Sequence, residues 1–143
     1  MRKPWANKSF LGKLERLMQL NTERLRIERD VENEIVQKRS LYRLEDNLKL
    51  LCALSENSQI READKKLRNF MCTMTNEELA LVEAIMLVGR ERMPKMFKQY
   101  YQDALRDLED HRDGEIDYVL FKSPVLNQYL RNGLKLLLEE DHH

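Results

Sequence analysis

Between Gly12 and Gly89 the chain runs without a single glycine or proline. Sheet-forming chains punctuate such a span with turns, and turns draw on glycine for positive φ and on proline for a fixed φ. A run this long without either is built of helices joined by short polar links. Leu, Glu, Lys and Arg dominate the composition, in keeping with that reading. At 143 residues, 42% of them apolar, the chain is long enough for one domain with a modest core. The expected fold is all-α: a helical bundle of about five to six helices with a long amphipathic N-terminal segment. Residues 1–40 form that arm and segment, and residues 41–143 form the bundle body.

The clearest local signals lie between Thr75 and Gly133. Thr75 and Glu78 have the spacing of a capping box, in which each side chain accepts a hydrogen bond from the other residue's amide. Leu79, Val82, Ile85, Met86 and Gly89 then recur at steps of three and four, thickened by Leu81, Ala84, Leu87 and Val88 until only Glu83 interrupts the apolar surface. This helix is expected to be buried on most sides. Gly89 either admits another backbone closely or ends the helix, and Pro94 cannot continue it, which places the break at Arg92 or Met93. After Pro94 a further helix carries Met96, Phe97, Tyr100, Tyr101, Ala104, Leu105 and Leu108, and is expected to end in an acidic turn around Asp113-Gly114. Ser123-Pro124 reads as a helix start, with Ser123 offering its oxygen to free amides. Val125, Leu126, Tyr129, Leu130, Leu134 and Leu137 make one apolar face there, and Gly133 marks tight packing or a local stop.

The first half is more polar. Pro4 and Trp5 lie in an extended arm, where the ring either docks on the body or a partner or stays loosely packed. From Ser9 an amphipathic pattern runs through Leu11, Leu14, Leu17 and Met18. Leu20, Ile27, Leu41 and Leu48 keep a seven-residue register whose missing member is Glu34, with Arg24, Val31, Lys38 and Glu45 in companion positions. Residues 9–55 therefore form either one long projecting helix or a hairpin or kinked helix bent near Lys38-Arg39-Ser40. The bent forms are slightly favoured, with Ser40 capping the second leg. Leu44, Leu48, Leu51, Cys52 and Leu54 make the apolar face of that leg. Ser55 to Ser58 reads as a loop, and a helix over roughly 59–71 turns Ile60, Ala63, Leu67, Phe70 and Met71 inward.

Leu81-Val82, then Met86-Leu87-Val88-Gly89-Arg90, and later Tyr118-Val119-Leu120, Ser123-Pro124-Val125-Leu126, Tyr129-Leu130 and Gly133-Leu134 resemble a bacterial domain-of-unknown-function family, DUF3775. The likeness covers roughly the last half of the chain. Family members usually show Gly-Arg-Gly-Asp where this chain has Gly89-Arg90-Glu91-Arg92. The resemblance implies a helical fold. It supplies no activity and transfers no catalytic residue.

Equal numbers of basic and acidic residues, 25 each, leave no net charge to attract nucleic acid or anionic membrane at long range. Their distribution is uneven: residues 1–50 hold 12 basic and 8 acidic side chains (+4), and residues 101–143 hold 5 and 10 (−5). Cys52 and Cys72 lack metal or disulfide spacing and read as buried reduced thiols. No secretory signal or membrane-length apolar run occurs, so a soluble cytoplasmic protein is expected. Glu109 to Asp117 imitates a calcium loop, but places Leu120 where a bidentate glutamate is required, and reads as a solvated turn. His111 beside it is a lone histidine. The four scattered glycines form no phosphate cradle. The expectation is a non-enzymatic protein with no catalytic, cofactor or metal residues. Its partner is another protein, a homo-oligomeric copy included. Leu14, Leu17, Leu20, Ile27 and Val31 would form the apolar recognition stripe, and arginines such as Arg24 would steer acidic partners. The alternative is a nucleic-acid-binding helical protein using the basic N-terminal helix.

Overall fold

A computed structural model describes residues 3–39 and 44–141. Six helices carry the fold: α1 (Lys8–Arg39), α2 (Leu44–Glu56), α3 (Ser58–Cys72), α4 (Asn76–Glu91), α5 (Phe97–Phe121) and α6 (Ser123–Asp141). Short 3-10 turns at Pro4–Ala6 and Pro94–Met96 precede α1 and α5, and no strand occurs among the described residues. Each 3-10 turn starts at a proline, whose fixed φ suits the first turn and whose missing N–H is not needed there.

α4 is the axis of the bundle. It packs most extensively against α5 and α6, and every residue from Leu79 to Gly89 except the half-buried Leu87 is buried. The capping box forms as the spacing predicts: the Glu78 amide donates to Thr75 Oγ1 at 3.1 Å and the Thr75 amide to Glu78 Oε1 at 2.9 Å. Lys13 of α1 reaches the same Glu78 at 2.6 Å, tying α1 to the start of α4. The helix ends where Arg92 turns left-handed at φ 57° and its amide caps Val88 O. Of the two roles open to Gly89 and Gly133, the structure selects close approach for both. A Cβ on Gly89 would sit 1.8 Å from Tyr129 O, and one on Gly133 would sit 2.0 Å from Ile85 O. The α4 and α6 backbones therefore touch, which only a pair of facing glycines permits.

α1 and α2 are separate helices packed against each other, with Ile35 of α1 beside Leu48 and Cys52 of α2, so the two legs do not form one straight rod. Ser40, expected to cap the second leg, lies outside the described residues. Asn57 caps α3 by accepting from the Gln59 and Ile60 amides. α1 lies along α3 and α6, and its Phe10, Leu14, Leu17 and Leu20 join the same core as α4 and α6. Trp5 docks on that core as well. Across α1 and α6 runs a buried polar seam. Asn21 Nδ2 donates to Ser123 O at 2.9 Å and to Asn127 Oδ1 at 3.1 Å, and Asn127 Nδ2 donates to Met18 O at 3.0 Å. Ser123 spends its hydroxyl here, donating to Asn21 Oδ1 and accepting from Arg24, instead of capping α6 as expected. A buried hydroxyl facing a buried amide from another helix satisfies two groups that would each be costly to leave unmade.

Two further expectations are corrected. The acidic segment at Asp113-Gly114 does not end a helix: α5 kinks at His111, whose φ and ψ are −144° and 59°, and continues to Phe121. Arg112 holds the kink by donating to Asn76 Oδ1, Cys72 O and Met74 O in the α3–α4 connection. Burial of Ile116 and Val119 makes the second leg worth folding as helix. Cys52 and Cys72 are free, as read, but both are exposed. Helical spacing alone could not tell that their faces are left uncovered.

Candidate functional site

The stripe expected to meet a partner is largely internal. Leu14, Leu17, Leu20 and Val31 are buried, and Ile27 is half-buried along a groove between α1 and α3 with Leu20, Glu23, Asp30, Glu62, Ala63 and Lys66. The stripe is too narrow for a free helix, but α3 and α6 cover it within the same chain. Arg24 is likewise engaged at home, hydrogen-bonded to Asp64, Glu28 and Ser123. A guanidinium held by two carboxylates has little charge left to steer a partner.

The exposed apolar surface lies on α2 and not on α1. α2 contacts only α1 and α3 to any extent and stands at the edge of the bundle. Leu48 is 66% exposed and Leu51 is 63% exposed. Leu48 and Cys52 line a shallow groove of 550 Å³ beside Ile35 of α1, which Lys49, Ala53, Glu56 and Asn57 complete, and Leu51 extends the uncovered face outside that groove. The apolar face of α2 was legible; that the bundle leaves it bare was not.

A second place holds unusual chemistry. Glu83 is the single charged residue among the buried positions of α4, at 3% exposure. One of its carboxylate oxygens, Oε2, is buried with no hydrogen-bond partner among the described residues. It faces a cavity of 230 Å³ lined also by Leu87 of α4 and by Tyr100, Asp103, Ala104, Asp107, Glu115 and Tyr118 of α5. The α5 residues recur on one face across the His111 kink. Burial pushes the Glu83 carboxyl up to about 10, helped by the hydrogen-bonding Glu115 carboxylate and the negative charge of Asp107. Glu83 is thus held in its protonated form at neutral pH. At the rim, Arg90 donates to the Tyr118 hydroxyl at 3.3 Å. Glu83 did signal itself in the sequence, as the one interruption of an otherwise apolar surface. Nothing marked Asp107 and Glu115 among the many acidic residues of α5.

His111 is exposed at the kink. Among the described residues no group of three His, Cys, Asp or Glu side chains is placed to hold a metal ion, and no helix is long and apolar enough to cross a membrane. A family model described as a protein of unknown function, DUF3775, matches residues 64–137. No curated protein and no solved structure matches the chain.

Proposed function

The chain belongs to the DUF3775 family, whose function is unknown, and on that premise we propose that it is a non-enzymatic interaction module that pairs with a second copy of itself through α2. The observation that carries this reading is the bare face of Leu48 and Leu51, two large apolar side chains that the chain's own bundle leaves in water. The face is self-complementary. An antiparallel two-fold pairing centred between Cys52 and Ala53 sets Lys49 of one copy against Glu56 of the other, and does so twice. Both charges are exposed and flank the groove. Isologous pairing of this kind is the commonest route to a soluble dimer.

Two turns of helix bury less than a standard interface, so the dimer is weak, with a dissociation constant on the order of 10 µM. Sedimentation velocity from low to high micromolar protein should show a monomer–dimer shift that Leu48→Glu with Leu51→Glu abolishes. A short bismaleimide should link Cys52 to Cys52 in a Cys72→Ser background, because both thiols sit beside the two-fold axis. A chain that stays monomeric throughout, with no Cys52 crosslink, refutes the pairing.

A further inference from the structure

We propose that the cavity between α4 and α5 is a binding site for an alkylammonium group, held by the carboxylates of Glu83, Asp107 and Glu115 and flanked by the rings of Tyr100 and Tyr118. Every one of these residues lies inside the family-matched region, whereas α1 and α2 lie outside it.

The cavity's lining is what a cation would meet. Four carboxyl groups line it, at Glu83, Asp103, Asp107 and Glu115, and no basic side chain does. Asp103 has outside partners, accepting from Gln99 at 2.9 Å and facing Arg106 at 3.7 Å. No salt bridge among the described residues engages Glu83, Asp107 or Glu115. A buried carboxyl oxygen without a partner is costly, and a site of like charges close together is costlier still. An N–H donor bearing positive charge relieves both at once. The remaining walls suit the rest of such a ligand. Leu87 and Ala104 offer apolar contact for methylenes, and tyrosine rings attract ammonium groups; one face of Tyr118 already carries Lys122 Nζ at 5.5 Å, which leaves Tyr100 and the other face of Tyr118 for the ligand. A volume of 230 Å³ holds about seven water-sized groups, enough for a short aliphatic amine or diamine. An organic cation fits better than a metal ion because no trio of ligating side chains is suitably placed among the described residues.

Two sources share this chemistry, a free small amine and the lysine side chain of a partner protein. Isothermal titration with 1,4-diaminobutane and with lysine blocked at both its α-amino and carboxyl groups separates them. The titratable groups facing the ligand are Glu83 from α4 and Tyr100, Asp103, Asp107, Glu115 and Tyr118 from α5, with Arg90 beside Tyr118 and Lys122 over its ring. Binding must ionise Glu83, so the observed heat should depend on the ionisation enthalpy of the buffer, reporting release of a proton. The neutral isostere 1,4-butanediol should not bind. Glu83→Gln, and independently Glu115→Gln, should weaken binding by about tenfold or more, the loss expected for a hydrogen bond to a charged group. Binding of either probe with these signatures sustains the site and names its source. Failure of both amines at millimolar concentration, or binding unchanged in both folded variants, overturns it.

Discussion

Replacing Gly89 with alanine is the sharpest test of how this bundle closes. In an ordinary helix the change stabilises by about 1 kcal/mol, because alanine loses less backbone freedom on folding. Gly12 supplies that reference within the same molecule, since a Cβ there would meet nothing within 4 Å. At Gly89 the new Cβ would stand 1.8 Å from Tyr129 O, 2.7 Å from Tyr129 C and 2.8 Å from Gly133 N. Optimal contact lies near 3.5 Å, so α6 must retreat by about 1.5 Å at the crossing. These neighbours are backbone atoms and cannot swing aside. The retreat loosens Ile85, Leu126 and Leu130, all fully buried, and a gap even half that size forfeits a large share of their dispersion contacts. Overpacking costs of ~1–3 kcal/mol and the lost contacts together give about 3–5 kcal/mol against the propensity gain. For a domain of this size that lowers Tm by about 10–20 °C. Circular-dichroism melts and urea titrations of Gly12→Ala, Gly89→Ala, Gly133→Ala and the Gly89/Gly133 double variant provide the readout. Gly12→Ala should melt slightly above the wild type and the two others far below it. The double variant should cost less than the sum, because one substitution already separates the helices. If Gly89→Ala tracked Gly12→Ala, the close crossing would be wrong.

Stability should fall as pH rises through neutrality, because folded Glu83 keeps its proton to about 10 while the unfolded chain releases it near 4.5. The slope reaches at most about 1.4 kcal/mol per pH unit, and Glu83→Gln should flatten it; parallel urea titrations at pH 6 and pH 8 of the two proteins decide the matter. Thr75→Ala removes the cap of α4 and should lower unfolding free energy by about 1 kcal/mol, with faster amide exchange confined to Glu77 and Glu78. Arg112→Ala leaves Asn76, Cys72 and Met74 acceptors unpaired, and should cost about 1–3 kcal/mol while raising exchange on both sides of the α5 kink. An Arg112 variant with native stability would mean that the kink is held by packing alone. Both cysteines of the native protein should react with a thiol reagent without prior unfolding, one at Cys52 and one at Cys72.

The lesson of Glu83 is one of context. Its position as the lone charge in a buried helix can be read from periodicity, because α4 is apolar all round and any polar side chain on it must face the interior. Its chemistry cannot, because that depends on which residues of α5 a kinked helix brings opposite. The kink is not written in the local pattern: glycine and acidic residues signal a turn, and only the Arg112 anchor and the burial of Ile116 make continuation as helix favourable. The α1 stripe failed in the opposite direction. Leu14, Leu17 and Leu20 looked under-covered when the helix was taken alone, yet two neighbours cover them.

Local signals fixed the helices themselves. The missing glycines and prolines made the chain all-α, Thr75 with Glu78 started α4, Arg92 and Pro94 closed it, and Pro124 suited the first turn of α6, since each acts through hydrogen bonds and dihedrals within a few residues. Tertiary packing alone decided that Gly89 and Gly133 are contact points, that α2 is left bare, and that Glu83 is enclosed with other carboxyls. Those outcomes depend on which faces meet across long stretches of chain, and no spacing along a single helix records its neighbours.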